Sequence, residues 1–229
     1  MSLNIIFQTD DLVAVNKPHG LLVHRSPIAA DANEFAVQTL RDQLGQHVWP
    51  AHRLDRKTSG VLLFALTESM NAAMQRQFMN GEVKKTYIAI VRGHTPDDLT
   101  IDYPLRREDG VVQDAVTHLK TLRHAEVPIP FGKHDTSRYS LVELTPETGR
   151  MHQLRKHMAH IFHPIIGDRP HGCNKQNKLF LEKFQMNTML LHARRLEFTH
   201  PETGEALSIV APLQSEFSRM LATLFLDMN

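Results

Sequence analysis

Short runs of alternating apolar and polar residues predict more strands than helices. LNIIF (3–7) and LVAVN (12–16) flank the polar stretch QTDD and are typical of a β-hairpin. By the same pattern, and by the buried run GVLLFAL, further strands are predicted at 60–66, 85–93, 115–122 and 137–145. The segment EVPIPFGK (126–133) contains two prolines and a glycine, which predict a surface loop.

Four segments are predicted to be helical. They are 34–44, 68–81 ending in Asn80-Gly81, RMHQLRKHMAH (150–160) after the first of two PETG turns, and a closing helix at 213–226. Strands outnumber helices and do not alternate regularly with them. This order predicts an α+β fold with a mixed, largely antiparallel central sheet flanked by helices and loops. The 229 residues fit one large domain or two small ones, and because no long linker is present we predict a single domain over 1–229.

Composition is that of a soluble globular protein, with 41% hydrophobic and 22% charged residues. The N-terminus lacks a signal-peptide pattern, no apolar run is long enough to span a bilayer, and Cys173 is the only cysteine. These features predict the cytoplasm. The net charge of +1 is unevenly distributed, since no acidic residue lies between Glu147 and Asp168. That stretch forms either a basic face for an anionic partner or a solvated surface whose charges mix in three dimensions.

The segment HRLDRKTSG (52–60) places one acid, Asp55, among the cations Arg53, Arg56 and Lys57. Nearby positive charge favours the ionised carboxylate, which is a nucleophile or an electrostatic anchor rather than a proton donor. A loop held by local ion pairs is the alternative. Because three cations exceed the need of one carboxylate, we favour a functional site.

The basic segment 149–168 contains four histidines: His152, His157, His160 and His163. Their spacing and the lack of a nearby Cys or acid argue against a metal site, so no metal is predicted. Arg150, Arg155 and Lys156 suit phosphate contacts or a charge partner for Asp55. From the residues alone, Tyr87 in its alternating strand is a core residue.

Four motifs in this order, KPHGLLVH, HRLDRKTSG, KKTYIAIVRG and TGRMHQLRKHMAHIFHPIIGD, resemble the RluA-type pseudouridine synthases from about residue 5 to about 212. The resemblance implies that Asp55 is the essential aspartate and that Arg53 helps to flip the target base. It further implies that Tyr87 stacks on the uracil, against the core interpretation above, and that Arg155 pairs with Asp55. The remaining substrate-binding residues it implies are Lys17, Arg150, His152 and Lys156.

Within that family, RDQLGQHV, LVHRS and HPIIGDRPHG are similar to members that isomerise the uridine at position 65 of certain tRNAs. The resemblance therefore implies a tRNA partner bound through its acceptor-stem and T-arm region, with no cofactor and no obligate protein partner. The separate N-terminal RNA-binding domain of some relatives is not expected. Many relatives have a tyrosine after the GDxx run, where this chain has Pro170-His171-Gly172. The same departure fits the members that act on position 65, and the resemblance implies no role for that loop.

Alternative functions remain open at this point. A synthase acting on ribosomal RNA is the nearest of them, followed by a non-catalytic RNA-binding module. A glycosidase or N-glycosylase using Asp55 would need a second carboxylate, and none stands out near these motifs.

Overall fold

The computed structural model describes residues 2–25 and 34–226. Contacts divide the chain into two units, here called the first unit (Met1–Lys85 with Ala193–Pro212) and the second unit (Thr86–His192 with Leu213–Asn229). The single domain predicted for residues 1–229 stays a prediction. Among helices of the described ranges, none is long and apolar enough to cross a membrane.

The described residues form twelve strands and five helices. The strands are β1 (Asn4–Gln8), β2 (Leu12–Lys17), β3 (Trp49–Pro50), β4 (Ser59–Ala65), β5 (Lys84–Arg92), β6 (Asp98–Asp102), β7 (Leu105–Arg106), β8 (Val112–Gln113), β9 (Val116–Val127), β10 (Ser137–Pro146), β11 (Leu191–Thr199) and β12 (Ala206–Val210). The helices are α1 (Ala36–Leu44), α2 (Glu68–Met79), α3 (Gln153–His160), α4 (Asn174–Phe184) and α5 (Ser215–Thr223).

In the first unit the strand order is β1-β2-β4-β11, with β3 paired to β4 and β12 paired to β11. The pairs β1–β2, β2–β4, β3–β4 and β11–β12 are antiparallel. Helix α2 begins after Thr67, whose hydroxyl accepts a hydrogen bond from the Met70 amide, as an N-cap residue does. Met70 and Met74 belong to the same buried apolar cluster as Leu63 and Phe198, so α2 packs on one face of this sheet.

In the second unit the strand order is β5-β10-β9-β6, antiparallel throughout, and β7 and β8 form a separate hairpin. Ile90 of β5 belongs to a cluster with Phe180 of α4 and Phe217 of α5. Its neighbour Val91 belongs to another cluster, with Met158 of α3. Because successive strand residues face opposite sides of a sheet, α4 and α5 cover one face and α3 covers the other.

The predicted α+β class and largely antiparallel pairing are confirmed, as are the first hairpin and the four helices. The loop predicted at 126–133 is wrong at its start, because β9 continues to Val127, which is 2% exposed in the core. Helix α4 was not predicted. Only Gln176 and Phe180 are buried along its eleven residues, so its apolar periodicity is weak.

Candidate active site

Two loops of the first unit meet around Asp55. The KPHG loop (17–20) begins at the end of β2, and the HRLDRKT loop (52–58) leads into β4. The Gly20 amide donates to the Arg56 carbonyl (2.8 Å), and Arg56 Nε donates to the Gly20 carbonyl (3.1 Å). The Thr58 amide donates to the Asp55 carbonyl (3.0 Å), which closes a turn. The backbone around the half-buried Asp55 is therefore fixed by hydrogen bonds to the KPHG loop and by the turn within its own loop.

Lys17 connects the two loops from within. Its side chain is 0% exposed, and Nζ donates to the carbonyls of Pro18 (3.0 Å), Leu21 (2.8 Å) and Arg56 (3.2 Å). Burial lowers the pKa of Lys17 to about 7, and the neighbouring Asp55 carboxylate opposes that shift. Three carbonyl acceptors match the three protons of an ammonium, so they also favour the charged form. In this position Lys17 supports the loop that carries Asp55. Its role in binding substrate stays a prediction.

The cations of the HRLDRKT loop have different surroundings. Arg53 and Arg56 are exposed, while Lys57 is half-buried. Arg56 is tied to Gly20, as described above. After burial, which is the main cause, Lys17, Lys57 and Arg56 each lower the pKa of His19 in the KPHG loop, and Lys17 interacts electrostatically with Asp55. Cations are therefore gathered around these two loops.

Gly60 explains why the motif ends in glycine. It lies opposite Lys17 in the β2–β4 pair and has φ +109°, a conformation that side chains rarely adopt. A Cβ atom built there would lie 2.1 Å from the Ala193 carbonyl oxygen. Only glycine allows the β11 backbone to come this close to the start of β4.

His52 has a structural role in the same loop. Its Nε2 accepts a hydrogen bond from the Leu63 amide (3.1 Å), and its ring stacks on Phe78 at 4.9 Å between centroids. Burial lowers the pKa of His52 to about 4, with a further lowering from Lys85 and an opposing hydrogen bond to the Arg53 backbone. The ring is therefore neutral at pH 7 and anchors the loop to β4.

In the second unit, Gln153 organises the start of α3. Its Oε1 accepts from the Thr148 hydroxyl (2.7 Å) and the Arg150 amide (3.0 Å). Its Nε2 donates to the Val116 carbonyl (2.9 Å) and to Thr117 (3.0 Å). Gln153 is buried, so this saturated amide ties the first PETG turn and α3 to β9.

Arg155 forms a buried ion pair with Asp168. Arg155 Nε donates to Oδ2 (2.9 Å) and Nη2 to Oδ1 (2.8 Å), and the two side chains are 5% and 1% exposed. This bidentate geometry fixes the plane of the guanidinium. The predicted pairing of Arg155 with Asp55 stays a prediction.

Sequence reasoning missed Asp168 as a partner. One feature of the sequence could have indicated Asp168 as the partner of Arg155: it is the first acidic residue after twenty residues that include no acid. The loop around it is tightly built: Asn177 Nδ2 donates to the Asp168 carbonyl (2.7 Å), and the Gly167 amide donates to Asn177 Oδ1 (2.9 Å). A Cβ on Gly172 would lie 1.9 Å from the Asp168 carbonyl oxygen.

His152 precedes α3 in a left-handed conformation (φ 56°, ψ 26°) that is uncommon for a residue with a side chain. Its Nδ1 lies 2.9 Å from Nε2 of His171. The Pro170-His171-Gly172 segment, for which the sequence offered no role, therefore contacts the start of α3.

The remaining predicted site residues of the second unit, the catalytic Tyr87 and the substrate-binding Arg150 and Lys156, also lie near α3. Tyr87 of β5 is half-buried and packs on the apolar cluster that contains Leu154. Arg150 Nε donates to the Asp114 carbonyl (2.9 Å), and Lys156 Nζ lies 3.4 Å from the Arg106 carbonyl. Both cations are half-buried and lie beside the segment that contains the β7–β8 hairpin.

The remaining histidines of this segment make hydrogen bonds or stack. His157 is buried between Thr117 and the Tyr103 carbonyl, and His160 stacks on the Tyr103 ring at 3.6 Å. His163 Nδ1 lies 2.9 Å from the Arg92 carbonyl. Across residues 2–25 and 34–226, no group of three or more His, Cys, Asp or Glu side chains is arranged to hold a metal ion.

Comparison with known proteins yields consistent relatives. Residues 11–160 match the family model described as RNA pseudouridylate synthase. The tRNA pseudouridine synthase C of Haemophilus ducreyi is 48% identical over 230 residues, covering 96% of this chain and 95% of that protein. The Vibrio cholerae protein of the same name is 48% identical over 231 residues, with coverage of 96% and 95%. The structure of human RNA Pseudouridylate Synthase Domain Containing 4 is similar with a TM-score of 0.74 at 28% identity, covering 98% of this chain and 94% of that one.

Proposed function

This chain belongs to the RNA pseudouridylate synthase family, and from that premise we propose that it converts a uridine of tRNA into pseudouridine. The observation that carries the proposal is the 48% identity, over 96% of the chain, to a tRNA pseudouridine synthase C. The loop that holds Asp55 beside the buried Lys17 supports it, because it fixes an acid among cations.

The reaction is an isomerisation. The bond between N1 of uracil and C1′ of the ribose breaks, the base turns, and a bond forms between C5 and C1′. The proton leaves C5 and N1 gains one, so atoms and charge balance without an oxidant or a reductant. To expose these atoms, the base must leave the stack, which costs a few kcal/mol.

We assign the central step to Asp55. Its carboxylate attacks C1′, attacks C6, or takes the proton from C2′ as uracil leaves, and all three fit an ionised acid held in a fixed loop. Tyr87 is proposed to stack on the uracil and to assist removal of the C5 proton. Arg155, with its plane fixed by Asp168, is proposed to pair with Asp55.

The basic residues are assigned to RNA. Arg53, which is exposed in the Asp55 loop, is proposed to hold the flipped state of the nucleotide. Arg150, His152 and Lys156 are proposed to bind the tRNA backbone in the acceptor-stem and T-arm region, with position 65 as the target. Because tRNA is found in the cytoplasm, we propose that the protein acts there.

Asp55→Asn tests the assignment. The change preserves shape and removes the reactive anion, so isomerisation of tRNA labelled with tritium at C5 of uridine should be abolished while tRNA affinity stays nearly unchanged. Asp42→Asn is the control, because Asp42 is an exposed acid of the same unit that pairs with Arg41. Asp55→Asn activity within about tenfold of wild type, a difference of only about 1.4 kcal/mol in barrier, would refute the role of Asp55.

Three further measurements separate the alternatives. Mapping of pseudouridine in total RNA from cells without this protein would show a lost site in ribosomal RNA if that were the substrate. Free uracil in the reaction would indicate an N-glycosylase. A wild-type protein that binds tRNA but leaves every uridine unchanged would indicate a non-catalytic module.

A further inference from the structure

We propose that His171 is a positioning residue, which donates its Nε2 proton to Nδ1 of His152 and so presents His152 to the RNA as an Nε2–H donor. The inference rests on the proposed function for the RNA contact, and on geometry for the histidine pair. His152 Nδ1 and His171 Nε2 are 2.9 Å apart, and the rings meet edge to face at 71°. One proton must lie between these two nitrogens when both rings are neutral.

The surroundings support a neutral pair. Burial lowers the pKa of His171, the Asp168 carboxylate raises it, and Arg155, His152 and Lys156 lower it again. These are the charged groups that the neighbouring helix α3 and the 167–172 loop bring to the ring. Apart from His152, which belongs to the pair, the cations Arg155 and Lys156 face one acid, and burial acts in the same direction as the cations. An additional proton on His171 is therefore disfavoured at pH 7.

The direction of the hydrogen bond follows from tautomer chemistry. If His171 donates from Nε2, both rings carry their proton on Nε2, which is the preferred tautomer of a neutral histidine side chain. If His152 donated from Nδ1, both rings would have to adopt the less favourable Nδ1–H form. The bond that one ring nitrogen makes decides which proton the other nitrogen carries. His171 therefore sets Nε2 of His152 as a donor, suited to a phosphate or carbonyl oxygen.

The backbone shows that His171 is held for this task. The His171 amide donates to Asp168 Oδ1 across a long N···O distance of 3.4 Å, which is a weak contact. Asp168 is in turn held by hydrogen bonds from Arg155 and Asn177. The 167–172 loop thus contacts the start of α3 through two interactions, the Arg155–Asp168 ion pair and the His152–His171 hydrogen bond. His152 adopts its left-handed conformation at the second of these interactions, and such conformations persist only where the surroundings enforce them.

Three variants test the proposal. His171→Leu removes the donor, His171→Gln places an amide N–H near the position of Nε2, and His124→Leu is the matched control. His124 belongs to the same unit and has one side-chain hydrogen bond, to the Thr95 carbonyl (2.9 Å), and it lies on β9 rather than in the 167–172 loop. Thermal unfolding of all three shows whether any loss reflects global stability.

The first measurement is the ¹⁵N NMR spectrum of the imidazole nitrogens, with His152 assigned by its own substitution. Wild type and His171→Gln should show His152 as a single Nε2–H tautomer, and His171→Leu should show a mixture. An unchanged His152 tautomer in His171→Leu would overturn the proposal. This measurement needs no RNA, so it decides the histidine pair even if the wild-type protein proved inactive and the proposed function failed.

The second measurement is the single-turnover rate at saturating tRNA. Loss of one net hydrogen bond corresponds to a decrease of between about twofold and tenfold in His171→Leu. His171→Gln should restore the rate, and His152→Ala should add little to His171→Leu because the two residues act as a unit. A rate for His171→Leu equal to that of His124→Leu, in an active wild-type background, would refute the RNA-facing role.

Discussion

Asp168→Asn removes the carboxylate that the Arg155 guanidinium contacts in the interior of the second unit. Two N–H···O bonds of 2.9 and 2.8 Å join side chains that are 5% and 1% exposed. Breaking a buried pair by removing one charge leaves the other without compensation, at a cost of about 3–5 kcal/mol in the free energy of unfolding. For a chain of this size that loss corresponds to a decrease in Tm of about 6–20 °C.

The matched control is Glu216→Gln. Arg219 contacts Glu216 with the same bidentate geometry, through bonds of 2.7 Å each, but there the side chains are 44% and 27% exposed. An ion pair with this much exposure contributes at most about 1 kcal/mol. Urea unfolding followed by circular dichroism, with a calorimetric melt, measures both variants on the same scale.

Equal losses in the two variants would refute the reasoning, because burial is the property that separates them. A third variant, Arg155→Met with Asp168→Leu, replaces both charges by apolar groups of similar size. It should regain most of the stability lost in Asp168→Asn, since no charge is left buried. The same double variant should lose isomerase activity if Arg155 partners Asp55.

Three further predictions concern the glycine of the Asp55 motif, a loop histidine and the basic face. Gly60→Ala should unfold or severely destabilise the first unit, because its Cβ would lie 2.1 Å from the Ala193 carbonyl oxygen. A Tm within 3 °C of wild type, which corresponds to a loss of about 1 kcal/mol in the free energy of unfolding, would contradict this prediction. The pKa of His52 falls from 6.5 to about 4 on folding, so the unfolded chain binds the extra proton and stability decreases as pH falls through that window. His52→Gln should reduce the slope of unfolding free energy against pH there by up to about 1.4 kcal/mol per pH unit. Changing Arg150 and Lys156 to Ala should lower the slope of log K against log salt for tRNA by roughly 0.7–0.9 per lost phosphate contact, measured by filter binding.

Sequence alone determined the local elements and the nature of the site. Alternating apolar runs predicted the hairpin of β1 and β2, and helical spacing predicted α1 and α5, because both patterns arise from the geometry of a single element. The motif around Asp55 indicated an ionised acid among cations, and its resemblance to known synthases indicated the family. Chemistry that is carried by neighbouring residues in the chain can be predicted from the chain.

Tertiary structure decided which distant residues serve these motifs. The sequence gives no sign that the Lys17 side chain is buried or that its ammonium donates to the carbonyl of Arg56, 39 positions away. Arg155 pairs with Asp168, and His152 forms a hydrogen bond with His171. Both partners lie in an irregular loop, whose sequence has no periodic pattern from which its conformation could be predicted. Which side chains are buried, and which partners they contact, depends on contacts between residues that are distant in the sequence. Those contacts are set by packing between elements and not by any one segment.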